Sequence, residues 1–503
     1  MARPKLLILW CLLACLAALL VSLNGCSGTS TSHSTPPPAP GKIEHVIIIF
    51  QENRTPDNLF QDPVLIQRGA DIQDYGYSLT TKVMLQPIDL GTNGPNGNPQ
   101  NYDLSHAHEA FEHMYDGGAM DGAASIACSP AAQCPPNAHP APQFMYVYPN
   151  DVQPYFALAE QYTFGDRMFQ NNQGPSMPAH QYIIAGTSWA GTITPQPTTL
   201  FQAENPQLGP GDVGAKEAGE NTGCSSPLNE TVNMIDITQP WPANETTTMY
   251  PCWEHPTLMD VLDAQKISWK YYANICVTQP CAMTGIWVGP NAIQHMCHNS
   301  GTATGQPCDS AEWLSNVVYE QNVLTDISAG NLPSVSWVIP DGKASDHALT
   351  NDGEGPSWVA SIVNAIGQSQ YWNNTAIIIT WDDWGGWYDH VAPPVSGNNS
   401  YEHGFRVPLI VVSPYAKAQY ISHTPHDFGS ILKFIEETFS LPAIDPDVTI
   451  GQTTGFADTN ALDDLSDCFD YTQTPLTFQT IPSQYDAQHF LNDTRPPSDP
   501  DDD

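Results

Sequence analysis

The chain has 503 residues, and its 15 Lys and Arg against 53 Asp and Glu give a formal charge of −38. A surface of that sign repels nucleic acid and anionic membranes, which excludes DNA or RNA binding as the working reading. A hydrophobic content of 41% excludes a disordered acidic chain, and the length allows a large core of one to three domains.

Taken in chain order, Arg3 and Lys5 precede the apolar run Leu6 to Leu23, followed by Asn24-Gly25-Cys26 and a Ser/Thr/Pro tract to Pro40. This pattern predicts a signal peptide over 1–25, a tether over 26–41, and export. The Leu23-Asn24-Gly25-Cys26 ending resembles a bacterial lipobox, which makes Cys26 a lipidation candidate and the membrane a partner through that anchor. An uncleaved anchor and a plain secreted protein are the alternatives. In an oxidising compartment the remaining cysteines are expected to pair. Close spacing suggests Cys128–Cys134 and Cys276–Cys281, with Cys224, Cys252, Cys297 and Cys308 pairing among themselves and Cys468 left over.

Ile43 to Phe50 predicts a buried strand that delivers Glu52 and Asn53 at its carboxyl end. Tyr102 to Asp121 carries His106, His108 and His113, too frequent for a plain surface helix, with an amphipathic helix that holds them structurally as the alternative. Val152 to Asp166 is expected to be helical. Gly174-Pro175-Ser176 and Pro178-Ala179-His180 describe a rigid turn opening a helix, with Ser176 near its amino end. The role of His180 is open. Residues 192–256, rich in Pro, Gly, Asn and Thr, are expected to form an insertion or lid. A helix over Thr257–Gln265, a strand over Ile267–Tyr272, a helix over Ala311–Ile327 and a strand over Ser334–Ile339 follow. His295 is a candidate pocket histidine, with a core or surface role as the alternative.

The strand Ala376 to Trp381 ends in the adjacent carboxylates Asp382 and Asp383, then in Gly385-Gly386, and Asp389 and His390 could support them. Two neighbouring acids are costly unless a cation neutralises them, and Glu52 with Asn53 supplies a second half-site. One divalent metal ion is the cofactor this predicts, with Mg, Ca, Mn, Zn and Fe all open. Trp358–Ser369 and Asp427–Phe439 read as helices, Leu409–Val412 as a strand, and 466–503 as an acidic, Pro-rich tail. Alternating strands and helices predict an α/β fold, a single large domain over 42–465 with a central, mostly parallel sheet flanked by helices.

Val46 to Phe60, with its Glu-Asn-Arg-Thr-x-Asp core, resembles the opening motif of the bacterial phosphoesterase family of secreted phospholipases C and related acid phosphatases. Trp381 to Pro394 and Gly404 to Pro414 resemble its second and third signatures. The resemblance implies an alkaline-phosphatase-like architecture and hydrolysis of a phosphate ester, either a soluble phosphomonoester or a phospholipid headgroup. It makes Ser176 the nucleophile and a metal ligand beside Glu52, Asn53, Asp382 and Asp383. It also makes His106 and His347 catalytic and phosphate-contacting groups; apart from the resemblance, Asn53 and His295 are further substrate-binding candidates. Asp383-Trp384 stands where relatives frequently have Asp-Glu-His, so the ligand set differs there. A sulfatase-like ester hydrolase and a catalytically silent binding lipoprotein are the alternatives. No Cys-x-Pro-x-Arg motif supports the former.

Overall fold

The run Val46 to Phe50 is apolar at every position, so a strand made from it needs cover on both faces. The computed structural model places it accordingly, and describes residues 42–129, 131, 134, 141–191, 201–206, 223–228, 230–275, 285–299, 306–395, 401–450 and 453–495. The expected signal peptide, tether and Cys26 lie outside the described residues, as do Cys276 and Cys281.

The main sheet is built from β1 (His45–Gln51), β2 (Thr163–Phe169), β3 (Trp269–Ala273), β4 (Val317–Tyr319), β5 (Val335–Val338), β6 (Thr375–Trp381), β7 (Arg406–Val412), β8 (Tyr420–Ser422) and β9 (His426–Asp427). Their order is β4-β3-β5-β1-β6-β7-β2-β8, with β9 also beside β2. Every neighbouring pair is parallel except the two made by β7, which runs antiparallel to β6 and to β2. This is the mixed α/β, mostly parallel architecture that the alternation of elements predicts.

The principal helices are α1 (His108–Tyr115), α2 (Gln153–Gln161), α3 (Ser176–Ala185), α4 (Leu258–Gln265), α5 (Gly355–Gly367) and α6 (Phe428–Phe439). Phe50 points from β1 to one face, where it meets His180 of α3 and Phe428 of α6. Trp381 of β6 points to the other, where it meets Tyr155 of α2. The core between these layers includes Ile47, Ile48, Ile49, Ile377, Ile378 and Ile379, all 0% exposed. Each such side chain contributes about 1.5–3 kcal/mol relative to exposure. A second apolar cluster, with Phe111, Phe144, Trp384, Trp387 and Phe405, lies beyond the end of β6.

Several expectations are corrected. The helix predicted over Val152–Asp166 stops at Gln161, and the aromatic, β-branched residues after it form β2. The predicted helix Ala311–Ile327 is broken by β4, because Val317-Val318-Tyr319 pairs with Tyr271 to Ala273. Part of the 192–256 insertion forms a three-stranded antiparallel sheet from Phe201–Pro206, Val232–Asp236 and Thr247–Met249. The segment after Leu465 is packed against the domain: Phe469 stacks on Phe434, Phe478 packs on Trp372 and Phe490 on Trp358. Its spaced aromatic residues anchor it despite the surrounding acids and prolines. Disulfides join Cys128 to Cys134, Cys224 to Cys252 and Cys297 to Cys308, and Cys468 is a buried thiol.

Candidate active site

Register decides the first half of the site. Gln51 of β1 lies opposite Trp381 of the parallel β6, so Glu52 and Asp382 leave the sheet side by side. The Asp382 amide donates to the Gln51 carbonyl at 2.9 Å. In return, Asp382 Oδ1 accepts from the amides of Asn53 at 2.8 Å and Asp383 at 2.7 Å. Asn53 makes this turn with φ of 61°, a left-handed conformation that asparagine tolerates. Gly385 also has positive φ, and a Cβ there would stand 2.6 Å from the Asn53 backbone oxygen, so the glycine permits the close approach. Glu52, Asn53, Asp382 and Asp383 are all 0% exposed.

The second half is the amino end of α3. Asn172 Nδ2 donates to the carbonyls of Gly174 at 2.6 Å and Pro175 at 2.9 Å, fixing the turn before the helix. Ser176 is the first residue of α3, and its Oγ donates to Asp383 Oδ2 at 3.3 Å. One turn along the same face, His180 Nε2 sits 3.1 Å from Glu52 Oε1. Burial between Phe50 and Trp287 lowers the His180 pKa to about 4, with Asp382 pulling weakly the other way. The imidazole is therefore neutral above mildly acidic pH, and its contact with Glu52 is a hydrogen bond and not an ion pair. Ligand atoms of Glu52, His180 and Asp382 lie within 4.8 Å of one another.

Two further histidines border this group. His106 Nδ1 lies 2.8 Å from the Leu104 carbonyl and His347 Nδ1 lies 2.8 Å from the Ala348 carbonyl. Each carbonyl can only accept, so both rings carry the proton on Nδ1 and turn Nε2 the other way. His106 Nε2 is 3.3 Å from Asn53 Nδ2 and 4.0 Å from Asp383 Oδ2. The two rings are 6.0 Å apart between centroids. Arg54, fully buried, grips the Asp346 carbonyl through Nε at 3.0 Å and Nη2 at 2.5 Å, which ties the loop carrying His347 to the segment after Asn53. Asp346 Oδ2 accepts from Tyr155 and Trp381, each at 2.9 Å, and burial raises its pKa to about 6 while Arg54 opposes the rise.

The residues present suit a divalent cation. Asn53 Oδ1 and Asp382 Oδ2 are buried and have no hydrogen-bond partner among the described residues. Orphaned acceptors inside a protein are costly unless a cation serves them. Oxygen donors with one imidazole fit a hard or borderline ion.

The model of the Phosphoesterase family matches residues 43–442. The chain belongs to the Phosphoesterase family. It is 22% identical over 458 residues to a non-hemolytic phospholipase C of Burkholderia pseudomallei, covering 79% of this chain and 55% of that one. It is 23% identical over 440 residues to a hemolytic phospholipase C of Pseudomonas aeruginosa, covering 79% of this chain and 53% of that one. The chain thus spans about half the length of the curated relatives it matches. A solved protein of the alkaline phosphatase superfamily from Vibrio parahaemolyticus is similar at 10% identity and a TM-score of 0.33, over 83% of this chain and 71% of that chain.

Of the residues the sequence singled out, Glu52, Asn53, Asp382, Asp383, Ser176 and His106 are linked by the contacts above, and His347 stands 6.0 Å from His106 between ring centroids. His295 does not join them: its ring nitrogens lie 2.7 Å from Glu254 and 3.0 Å from Asp260, which raise its pKa to about 10 against the effect of burial. Asp389 pairs with Arg406 at 2.8 Å, and His390 lies 2.7 Å from Asp57 and 3.1 Å from Asp71, so they brace the loops beside the site. His180 is the residue whose place the sequence left open. Its spacing of four from Ser176 on one helix is the signal that puts both on the same face.

Proposed function

We propose that the chain is an exported, metal-dependent phosphoesterase that hydrolyses phosphate esters through Ser176. The observation that carries this reading is the Ser176 hydroxyl, at the first residue of α3, 3.3 Å from Asp383 and one turn from the Glu52–His180–Asp382 group. A divalent cation held by Glu52, Asn53, Asp382 and Asp383 beside Ser176 would lower the hydroxyl's pKa and offset negative charge on the phosphoryl oxygens. Asp383 accepts the hydrogen bond that orients Oγ toward phosphorus. Attack by Oγ, whose proton passes to Asp383 Oδ2, forms the O–P bond of a phosphoserine, and the bond to the alcohol breaks. His347 and His106, anchored through Nδ1, present Nε2 to the phosphoryl oxygens or to the departing alcohol. A proton carried there in mildly acidic solution leaves with the alcohol. Water then cleaves the phosphoserine and restores the hydroxyl.

The substrate is a soluble phosphomonoester or a phospholipid headgroup, in line with the phospholipase C relatives, and the large negative charge favours zwitterionic over anionic lipid. The Leu6–Leu23 run and Cys26 support export with a lipid anchor. The test is hydrolysis of p-nitrophenyl phosphate, p-nitrophenylphosphorylcholine and p-nitrophenyl sulfate, with and without chelator. Chelator-sensitive turnover of a phosphate ester is expected, and it should vanish in Ser176→Ala while circular dichroism is unchanged. Undiminished turnover in that variant removes Ser176 from the mechanism, and preference for the sulfate ester favours the sulfatase-like alternative.

A further inference from the structure

Of the three side chains whose ligand atoms lie within 4.8 Å of one another, only His180 offers a nitrogen. Its ring is engaged at both ends. Nε2 lies 3.1 Å from Glu52 Oε1, and Nδ1 lies 3.4 Å from Tyr271 Oη of β3. Phe50 meets the ring edge-on at 4.9 Å between centroids, and Trp287 stacks on it at 6.4 Å with an interplanar angle of 16°. That packing fixes which nitrogen faces which neighbour.

Tyr271 is in turn fixed by residues 285–292. Its hydroxyl donates to the Trp287 carbonyl at 2.8 Å and accepts from the Gly289 amide at 3.4 Å. A Cβ on Gly289 would stand 2.2 Å from the His180 carbonyl, so the glycine lets this segment press onto α3. With its only proton committed to Trp287, the Tyr271 oxygen can do no more than accept from Nδ1. A neutral imidazole carries one ring proton, and here two acceptors claim it, Glu52 at Nε2 and Tyr271 at Nδ1. The carboxylate is the stronger acceptor, so in the absence of a cation the proton sits on Nε2. A cation beside Glu52 and Asp382 repels that proton and attracts the Nε2 lone pair. The proton then belongs on Nδ1, where the Tyr271 oxygen already stands. An acceptor at the distal nitrogen is the usual companion of a metal-bound histidine.

We propose that His180 Nε2 joins Glu52, Asn53, Asp382 and Asp383 as a direct ligand of the divalent cation, with Tyr271 as the positioning residue that accepts the Nδ1 proton. The inference rests on the metal-dependent reading above and deepens it. A donor set that includes an imidazole selects an ion of the zinc or iron class over magnesium or calcium.

The test uses the full chain stripped of metal, with zinc and magnesium ions as separate probes. In long-range proton–nitrogen NMR spectra of protein carrying isotope-labelled histidine, zinc should move one imidazole from the Nε2–H to the Nδ1–H form with Nε2 metal-bound. His180→Gln should lack that signal. By calorimetry the parent chain should prefer zinc to magnesium, and His180→Gln should lose most of the preference because zinc affinity alone falls. Tyr271→Phe keeps the ring and removes the oxygen, so zinc binding should weaken about 10–100-fold with magnesium binding unchanged. Should His180→Gln fail to fold, Tyr271→Phe and the spectra of the unmodified chain decide the matter. An unchanged tautomer in the zinc-loaded parent chain, or a zinc preference that survives His180→Gln, overturns the ligand. Unaltered zinc affinity in Tyr271→Phe overturns the part given to Tyr271. None of these readouts needs turnover. Their failure beside intact, Ser176-dependent hydrolysis removes only the His180 ligand, and their success beside undiminished turnover in Ser176→Ala removes only the proposed reaction.

Discussion

At the scale of single residues, the site depends on which oxygen or nitrogen each side chain turns inward. His347 is held through Nδ1 to the Ala348 carbonyl. His347→Asn therefore removes only the group at the Nε2 end, and kcat should fall about 10²–10⁴-fold, the usual size of an acid–base contribution. Steady-state kinetics on p-nitrophenyl phosphate would show it, together with loss of the pH dependence that imidazole imparts. Asp382→Asn has a different signature. Its Oδ1 still accepts from the Asn53 and Asp383 amides, but the orphaned Oδ2 becomes an amide nitrogen. Turnover should drop and excess divalent ion should not restore it. Most of these residues were legible in advance because each ends a hydrophobic strand or opens a helix, positions where an α/β sheet gathers ligands. His295 was misleading because its carboxylate partners, Glu254 and Asp260 of α4, are remote in sequence and leave no spacing signal.

Elements are held around the site by a buried ionic network in which Arg406 of β7 joins Asp389 and Asp57, with His390 beside them. All the guanidinium's partners are buried or partly so, and deleting one leaves charge unpaired. Asp389→Asn should cost about 3–5 kcal/mol, read as a lower denaturant midpoint, while the KM for a small ester changes little. Helices and long strands were readable from apolar periodicity. Short edge strands were not: β4 has only three residues, and its identity comes from pairing with Tyr271 to Ala273. β2 was hidden in an extended helix prediction because Gly165, whose added Cβ would meet Leu409 at 2.8 Å, carries no side-chain pattern of its own. The aromatic residues after Leu465 were likewise masked by the acids around them. A chain ending at Leu465 should lose cooperative thermal unfolding, since Trp358, Trp372 and Phe434 lose their partners.

Over the whole molecule, proton uptake and net charge act in the same direction. Burial, followed by the charge of Asp458, raises the Glu436 pKa from 4.5 to about 9. His390 is raised from 6.5 to about 9 by Asp57 and Asp71 against the effect of burial. Between the unfolded and folded values the native state holds more protons, so stability falls as pH rises through that window. His180, lowered to about 4, acts oppositely between 4 and 6.5. Thermal melts should therefore be highest at about pH 6 and decline toward pH 8.5, and Glu436→Gln should flatten the decline. The sheet order also bears on how the chain is made. The first strand in sequence, β1, has as its neighbours β5 and β6, so Val46 pairs with Val335 and Ala376. A ribosome must synthesise about two-thirds of the polypeptide before this isoleucine-rich segment can find its first mate, and about three-quarters before it has both. Until then it stays sticky and unpaired, a state that suits threading through a translocation pore and makes slow refolding and chaperone dependence the expected behaviour in vitro.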